Sequence, residues 1–280
     1  MTLETGYMPS NVVMASQTAR LPTLDHIVIL VSYNTLENLT SYLQDLFTVA
    51  PGGQHSNGLT SNKLVLFEDG VYIEFIAFYD HIDPMQRQNH RWGSLRENSI
   101  IDWAFTYPPE NDFNAIRDRV SGTNTGITYE EPAEWSRKRN DGIVLEWTLS
   151  TPISCPPGSQ IPPGRLPFWC LDTTPRSLRV PYAEMPHLVQ HPSNVRGIAS
   201  LESTVGTEEV TCLAKAYEAM CGDSVASGNQ VWHYRVPEGS QFGTVSLRGA
   251  PGEAPIILTL KGPISRIVEP LPGLEFKIEP

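Results

Sequence analysis

Apolar positions set out the first elements. Residues 24–31 are rich in β-branched side chains, with an apolar run at 27–31, and Leu36, Leu39, Tyr42, Leu43 and Leu46 then recur close to the helical period across 34–47. The pattern predicts a strand followed by a helix. After the turn-forming Pro51-Gly52-Gly53, residues 63–68 and 71–78 read as two strands joined at Asp69-Gly70, a hairpin signal. This opening stretch reads βαβββ. The rhythm restarts with a strand at 100–107 and a helix at 111–120, which Asn111 or Asp112 would cap. Strands follow at 131–137, 143–150 and 166–171, with Asn140-Asp141-Gly142 turning between the first two. The proline-rich segment 151–167 reads as a long loop. A weaker third copy runs through a strand at 198–205, a helix at 208–221 and strands at 231–236, 244–247 and 256–260. A βαβββ unit recurring at a period of roughly 80 residues is a structural repeat.

The expected organisation is an α+β fold with a mobile tail at 1–20, a first module at 21–95, a second at 96–180, and a linker with a degenerate third module at 181–280. Composition narrows the function. The 280 residues, 40% of them hydrophobic, suffice for a large core, while a formal net charge of −11 with scattered Lys and Arg speaks against a nucleic-acid partner. No apolar run approaches the roughly 20 residues that span a bilayer, so no membrane partner is expected. Residues 1–19 have a single acidic residue, no Lys or Arg and only a weak apolar patch, unlike a secretory signal, and the expected location is cytoplasmic. Cys155, Cys170, Cys212 and Cys221 show no CxxC pair, so reduced thiols are expected.

Four segments carry a resemblance: Leu24-Asp25-His26-Ile27-Val28, Gly52-Gly53-Gln54-His55, Thr60-Ser61-Asn62-Lys63-Leu64 and Gly70-Val71-Tyr72-Ile73-Glu74-Phe75-Ile76. In order and spacing they resemble the glyoxalase-like domain of the vicinal-oxygen-chelate superfamily. The resemblance continues through Ile101-Asp102-Trp103-Ala104, 136–142 and Leu166-Pro167-Phe168, covering about 22–172. It implies paired βαβββ modules whose curled mixed sheets form a cup, in many members with a divalent metal at its floor. The implied chemistries are isomerisation, epimerisation, ring-cleaving oxygenation and thiol addition, beside members that sequester a drug. Fold alone does not choose among them.

By strand alternation His26 shares a face with Val28 and Leu30, and Glu74 with Tyr72 and Ile76, so both project into one cup. An imidazole and a carboxylate suit Zn, Mn, Fe or Ni; equally, His26 could be a structural histidine with Glu74 as its partner. In the second module the corresponding positions read as Trp103 and Cys170. Trp103 cannot ligate; Cys170 could, and so could Asp172, two residues further along the same strand face, so a set of His26, Glu74 and either Asp172 or Cys170 is open.

His55 is either a candidate for proton transfer or a solvated loop histidine, and Asn62 either holds a substrate carbonyl or ties down its loop. Arg137 and Arg139 share a strand face suited to pinning a carboxylate or enolate, unless they are surface charge. Trp103, Trp135, Trp147, Phe168 and Trp169 could wall an apolar pocket or simply pack a core. Segment 178–197, with Arg179, His187, His191 and Arg196, reads as a connector or lid. The function expected is an isomerase or lyase, acting through an enolate on a small oxygenated molecule. It would work with a metal on His26 and Glu74, or without one, through a Glu74 whose pKa an apolar cup raises. The alternatives are a metal-free binding protein for a hydrophobic metabolite and a catalyst of a metal-free rearrangement. A homodimer could complete the cup.

Overall fold

The computed structural model describes residues 21–107, 112–139, 141–154, 159–225, 230–252 and 254–280. The tail expected at 1–20, together with Asn111, Asn140 and Cys155, lies outside them. The first module consists of β1 (Thr23–Leu30), two short helices, β2 (Ala50–His55), β3 (Thr60–Leu66) and β4 (Tyr72–Phe78). In place of one helix over 34–47 the chain forms Tyr33–Glu37 and Leu39–Leu43. At the break Asn38 turns its side chain back onto the Asn34 carbonyl, at 2.9 Å, a local bond that competes with helix propagation.

The second module repeats the plan with β5 (Ser99–Thr106), a helix at Phe113–Ser121, β6 (Ile127–Tyr129), β7 (Ala133–Lys138), β8 (Val144–Ser150), β9 (Pro152–Ser154), β10 (Ser159–Gln160) and β11 (Phe168–Asp172). Asp112, one of the two expected caps, accepts from the Asn114 amide. The proline-rich segment is not all loop: β9 pairs with β6 and β10 in a separate three-stranded sheet, with Pro152 tolerated as the first residue of its strand.

In each module the first and last strands pair in parallel, β1 with β4 and β5 with β11. The modules join antiparallel at two seams, β1 with β5 and β2 with β7. The order β1-β4-β3-β2-β7-β8-β11-β5 therefore returns to β1 and closes an eight-stranded cup. A third unit, β12 (Gly197–Gly206), a helix at Val210–Cys221, β13 (Gln230–Arg235) and β14 (Phe242–Ala250), has β12 parallel to β14. It hangs on the cup through a Thr23–Arg235 pairing. The strand expected last in the third repeat, β15 (Ile257–Lys261), lies antiparallel to β12, as β5 does to β1, and pairs in parallel with β17 (Leu274–Glu279), which is antiparallel to β16 (Arg266–Leu271).

Every residue of β1 is buried, as a strand covered on both faces requires. Ile27 and Ile29 look outward into the main core, with Trp103, Trp169, Tyr217 and Trp232; Val28 and Leu30 look inward, toward Ile76, Trp147 and Phe168. No described helix is long and apolar enough to cross a membrane.

Candidate active site

The cup encloses a cavity of about 380 Å³. His26, His55, Asn62, Glu74, Arg137 and Phe168, all singled out in the sequence, line it, with Trp135 and Trp147. Alternation does the placing: on β4 the inward residues Tyr72, Glu74 and Ile76 all face the cavity.

Five polar groups cross the floor in a row. Asp25 Oδ1 lies 2.6 Å from His26 Nδ1, and His26 Nε2 lies 3.6 Å from Glu74 Oε2. On the other side Glu74 Oε1 lies 3.5 Å from His55 Nε2, and His55 Nδ1 lies 2.8 Å from Thr60 Oγ1. Asn62 donates to Glu74 Oε1 at 2.5 Å while its own Oδ1 accepts from the Gly53 amide at 2.9 Å. Asn62 thus ties down its loop and aims the carboxylate at once.

Asp25 reaches His26, its chain neighbour, because the β1–β5 register slips between Leu24 and His26, leaving Asp25 as an extra, unpaired residue. Its other contacts are Arg176 (2.5 Å) and Arg179 (2.8 Å). Burial pushes the Asp25 pKa up, but the two guanidiniums and the bonds from Arg179 and His26 outweigh it and hold the carboxyl well below its ordinary value. An ionised Asp25 only accepts, so His26 donates Nδ1–H to it and turns Nε2 toward Glu74. The ring is fixed further by Tyr72, stacked at 4.7 Å, and by the edge contact of Phe168 at 5.4 Å.

Glu74 departs from the expectation of a raised pKa. Burial does push it up, yet hydrogen bonds from His55 and Asn62 and the charges of His55 and His26 pull it down to about 2. The carboxylate is ionised at any ordinary pH. His90, also on the cavity wall, goes the opposite way, to about 4, through burial and the charges of His55 and Arg91, and is neutral at pH 7.

Three expected site residues stand elsewhere. Trp103 pairs with Ile27 and packs 1% exposed into the outer core, because the residue facing His26 across the seam is Ala104. Arg139 bonds the Leu178 carbonyl at 2.8 Å and Asp141 at 2.6 Å and lines a smaller neighbouring cavity instead. Asp172 is gripped by the fork of Arg179, at 2.8 and 2.9 Å. Residues that the sequence reading passed over, Asp25, Thr60, Tyr72 and Arg179, form the support of the floor.

The donors for a divalent metal can be tested on this geometry. His26 Nε2 and Glu74 Oε2 face one point, but Asp172 is committed to Arg179, β5 contributes Ala104, and burial holds the Cys170 thiol well above its ordinary pKa, in the protonated form that does not ligate. Asp25, His26 and Cys170 also lie within 4.8 Å of one another, yet both oxygens of Asp25 are taken by guanidiniums. Glu74 has an imidazole nitrogen on either side, His26 Nε2 at 3.6 Å and His55 Nε2 at 3.5 Å, but among the described residues no set of three donors within 4.8 Å of one another includes it, and catalytic zinc sites use three.

A family model described as a glyoxalase-like domain matches residues 24–221. Among solved structures, a hypothetical protein from Staphylococcus aureus is similar over 93% of this chain and 100% of its own, with a TM-score of 0.65 at 14% identity. The 2,3-dioxygenase LapB from Pseudomonas is similar over 93% and 92% of the two chains, with a TM-score of 0.47 at 8% identity. A comparison with curated protein sequences finds no match.

Proposed function

The chain belongs to the glyoxalase-like domain family, and on that premise we propose that it is an enzyme that moves a proton on a small oxygenated organic molecule, by isomerisation or elimination through an enolate. The observation that carries this reading is the Glu74 carboxylate set between His26 Nε2 and His55 Nε2 at the base of an aromatic-walled cavity.

The roles follow from protonation. With Nδ1–H locked onto Asp25, His26 presents Nε2 as the base that takes a proton from the carbon beside a carbonyl. The C–H electron pair becomes the enolate, and His26 becomes an imidazolium flanked by two carboxylates. His55 returns a proton to the neighbouring carbon for isomerisation, or to a departing group for elimination. Glu74, with its pKa near 2, is a poor base and serves as the fixed negative charge between the two rings. The aromatic walls hold the substrate's apolar body and exclude water.

The test is hydrogen exchange: the full chain in deuterium oxide with a panel of ketones, 2-hydroxy ketones, 1,3-diketones and 2-oxo acids, with loss of the C–H signal next to the carbonyl followed by proton NMR. Exchange faster than in buffer is expected for at least one class, reduced by on the order of 100-fold in His26→Ala and in His55→Ala. No exchange in any class, or full exchange in His26→Ala, would defeat the proposal. Exchange lost on chelation and restored by Zn, Mn, Fe or Ni would replace it with a metal-assisted reaction.

A further inference from the structure

Arg137 stands out from the other buried guanidiniums. It comes from β7, directly across the seam from His55 on β2, it is 5% exposed, and it lines both the main cavity and the smaller one beside it. Its neighbours all have an anionic partner: Arg179 pairs with Asp25 and Asp172, Arg176 with Asp25, and Arg91 with Asp102. Arg137 has no hydrogen-bond or ion-pair partner among the described residues, and burial pulls its pKa below the ordinary value although Tyr72 and Glu74 pull it back up. A folded protein keeps an unpaired buried cation at a cost to its stability, so its partner is reasonably sought outside the chain.

We propose that Arg137 is the anchor for a carboxylate of the substrate, and that this cavity takes a small monocarboxylate with an apolar or aromatic body. The inference deepens the proton-transfer reading, which supplies the site, by naming the class of molecule. A guanidinium offers a planar fork that fits a carboxylate with two parallel hydrogen bonds. The charge count selects a monoanion: Arg137 brings one unmatched positive charge, and the ionised Glu74 on the same cavity wall repels any second negative charge, as on a phosphate dianion. The remaining walls, Trp92, Trp135, Trp147 and Phe168, suit a flat apolar body. His55, opposite Arg137 across the β2–β7 seam, lines the same cavity.

The experiment uses tryptophan fluorescence and calorimetry on the full chain, with benzoate, phenylacetate and 3-phenylpropanoate, each beside its neutral amide, and with phenyl phosphate. At least one acid should bind about tenfold or more tighter than its amide. Arg137→Gln should bring that acid to the level of the amide without altering the amide, and the unliganded variant should melt no lower than the parent, whereas a merely structural arginine would lower the melting temperature. Equal binding of acid and amide, a preference that survives in Arg137→Gln, tighter binding of phenyl phosphate, or no acid bound at millimolar concentration would each overturn the inference. The acid and amide comparison on the parent chain decides the matter even if the variant fails to fold. The two readings separate cleanly: hydrogen exchange on a neutral ketone without acid preference removes only the carboxylate anchor, and acid binding without exchange removes only the proton transfer.

Discussion

His55 and Arg137 stand opposite each other across the β2–β7 seam, so the junction of the two modules juxtaposes an imidazole from one and a guanidinium from the other on the wall of a shared cavity. Neither module alone contains both. The chemistry proposed for the cup therefore depends on closure of the ring, and closure depends on the smaller contacts that hold the floor.

Asp25→Asn should be among the most damaging single changes. It removes the charge that pairs Arg176 and Arg179 in a fully buried setting and leaves two guanidiniums facing each other, at a cost of roughly 3–5 kcal/mol. Denaturant unfolding at neutral pH measures it. A loss under about 1 kcal/mol would mean that water reaches the network.

Glu74 predicts an acid limb to stability. Its folded pKa, near 2, lies below its ordinary 4.5, so the carboxylate contributes stability that is complete above 4.5 and is lost as pH falls from 4.5 toward 2. Glu74→Gln should flatten that limb, as followed by urea midpoints across this range.

Asp69 has the opposite sign. It sits half-buried in the β3–β4 turn, where it accepts from the Val71 and Ile198 amides, and desolvation there raises its pKa from 3.8 to about 6. Its contribution is fully present below 3.8 and is lost as pH rises through 6. Asp69→Asn keeps an acceptor oxygen and removes the charge, so the variant should lose less stability than the parent between pH 4 and pH 6.5 in the same titration.

Gly52→Ala tests the path from backbone to floor. A Cβ there would lie 2.1 Å from the Asn62 carbonyl oxygen and 2.2 Å from its Oδ1, so Asn62 must move and its bond to Glu74 with it. A loss of about 1–3 kcal/mol is expected, together with slower exchange on any substrate that the parent turns over.

The sequence placed His26 and Glu74 because a two-residue period groups each with the apolar residues of its own face, and a charged or polar side chain in an otherwise apolar strand marks that face as the one toward a site. Trp103 was placed by its correspondence to His26 in the second module, and the residue that faces His26 is instead its neighbour Ala104. Strand β5 is apolar on both faces, so alternation gave two sets of residues without saying which looked inward, and the indole belongs to the outer set. Asp25 was hidden because one extra residue in the β1–β5 register turns it to the side of His26, and a bulge leaves no mark on composition. Arg179 was hidden by distance: it arrives from the segment read as a connector, 154 positions beyond Asp25. Strands β16 and β17 were legible and overlooked. Leu274, Phe276 and Ile278 are buried and Glu275, Lys277 and Glu279 are exposed, a plain alternation that lies past the point where a βαβββ template ends.

The outward-facing core ties the two halves of the chain together. Phe47 of the first module meets Phe276 of β17 at 6.1 Å, Phe105 meets Tyr234 at 6.2 Å, and the Tyr129 hydroxyl reaches Met220 Sδ at 3.2 Å. The third unit is thus cladding on the cup. Trimming the chain to its two complete modules would strip the insulation from the outer wall and leave Ile27, Phe105 and Trp169 wet, so a minimal version of this protein would need a repainted exterior before it could stay in solution.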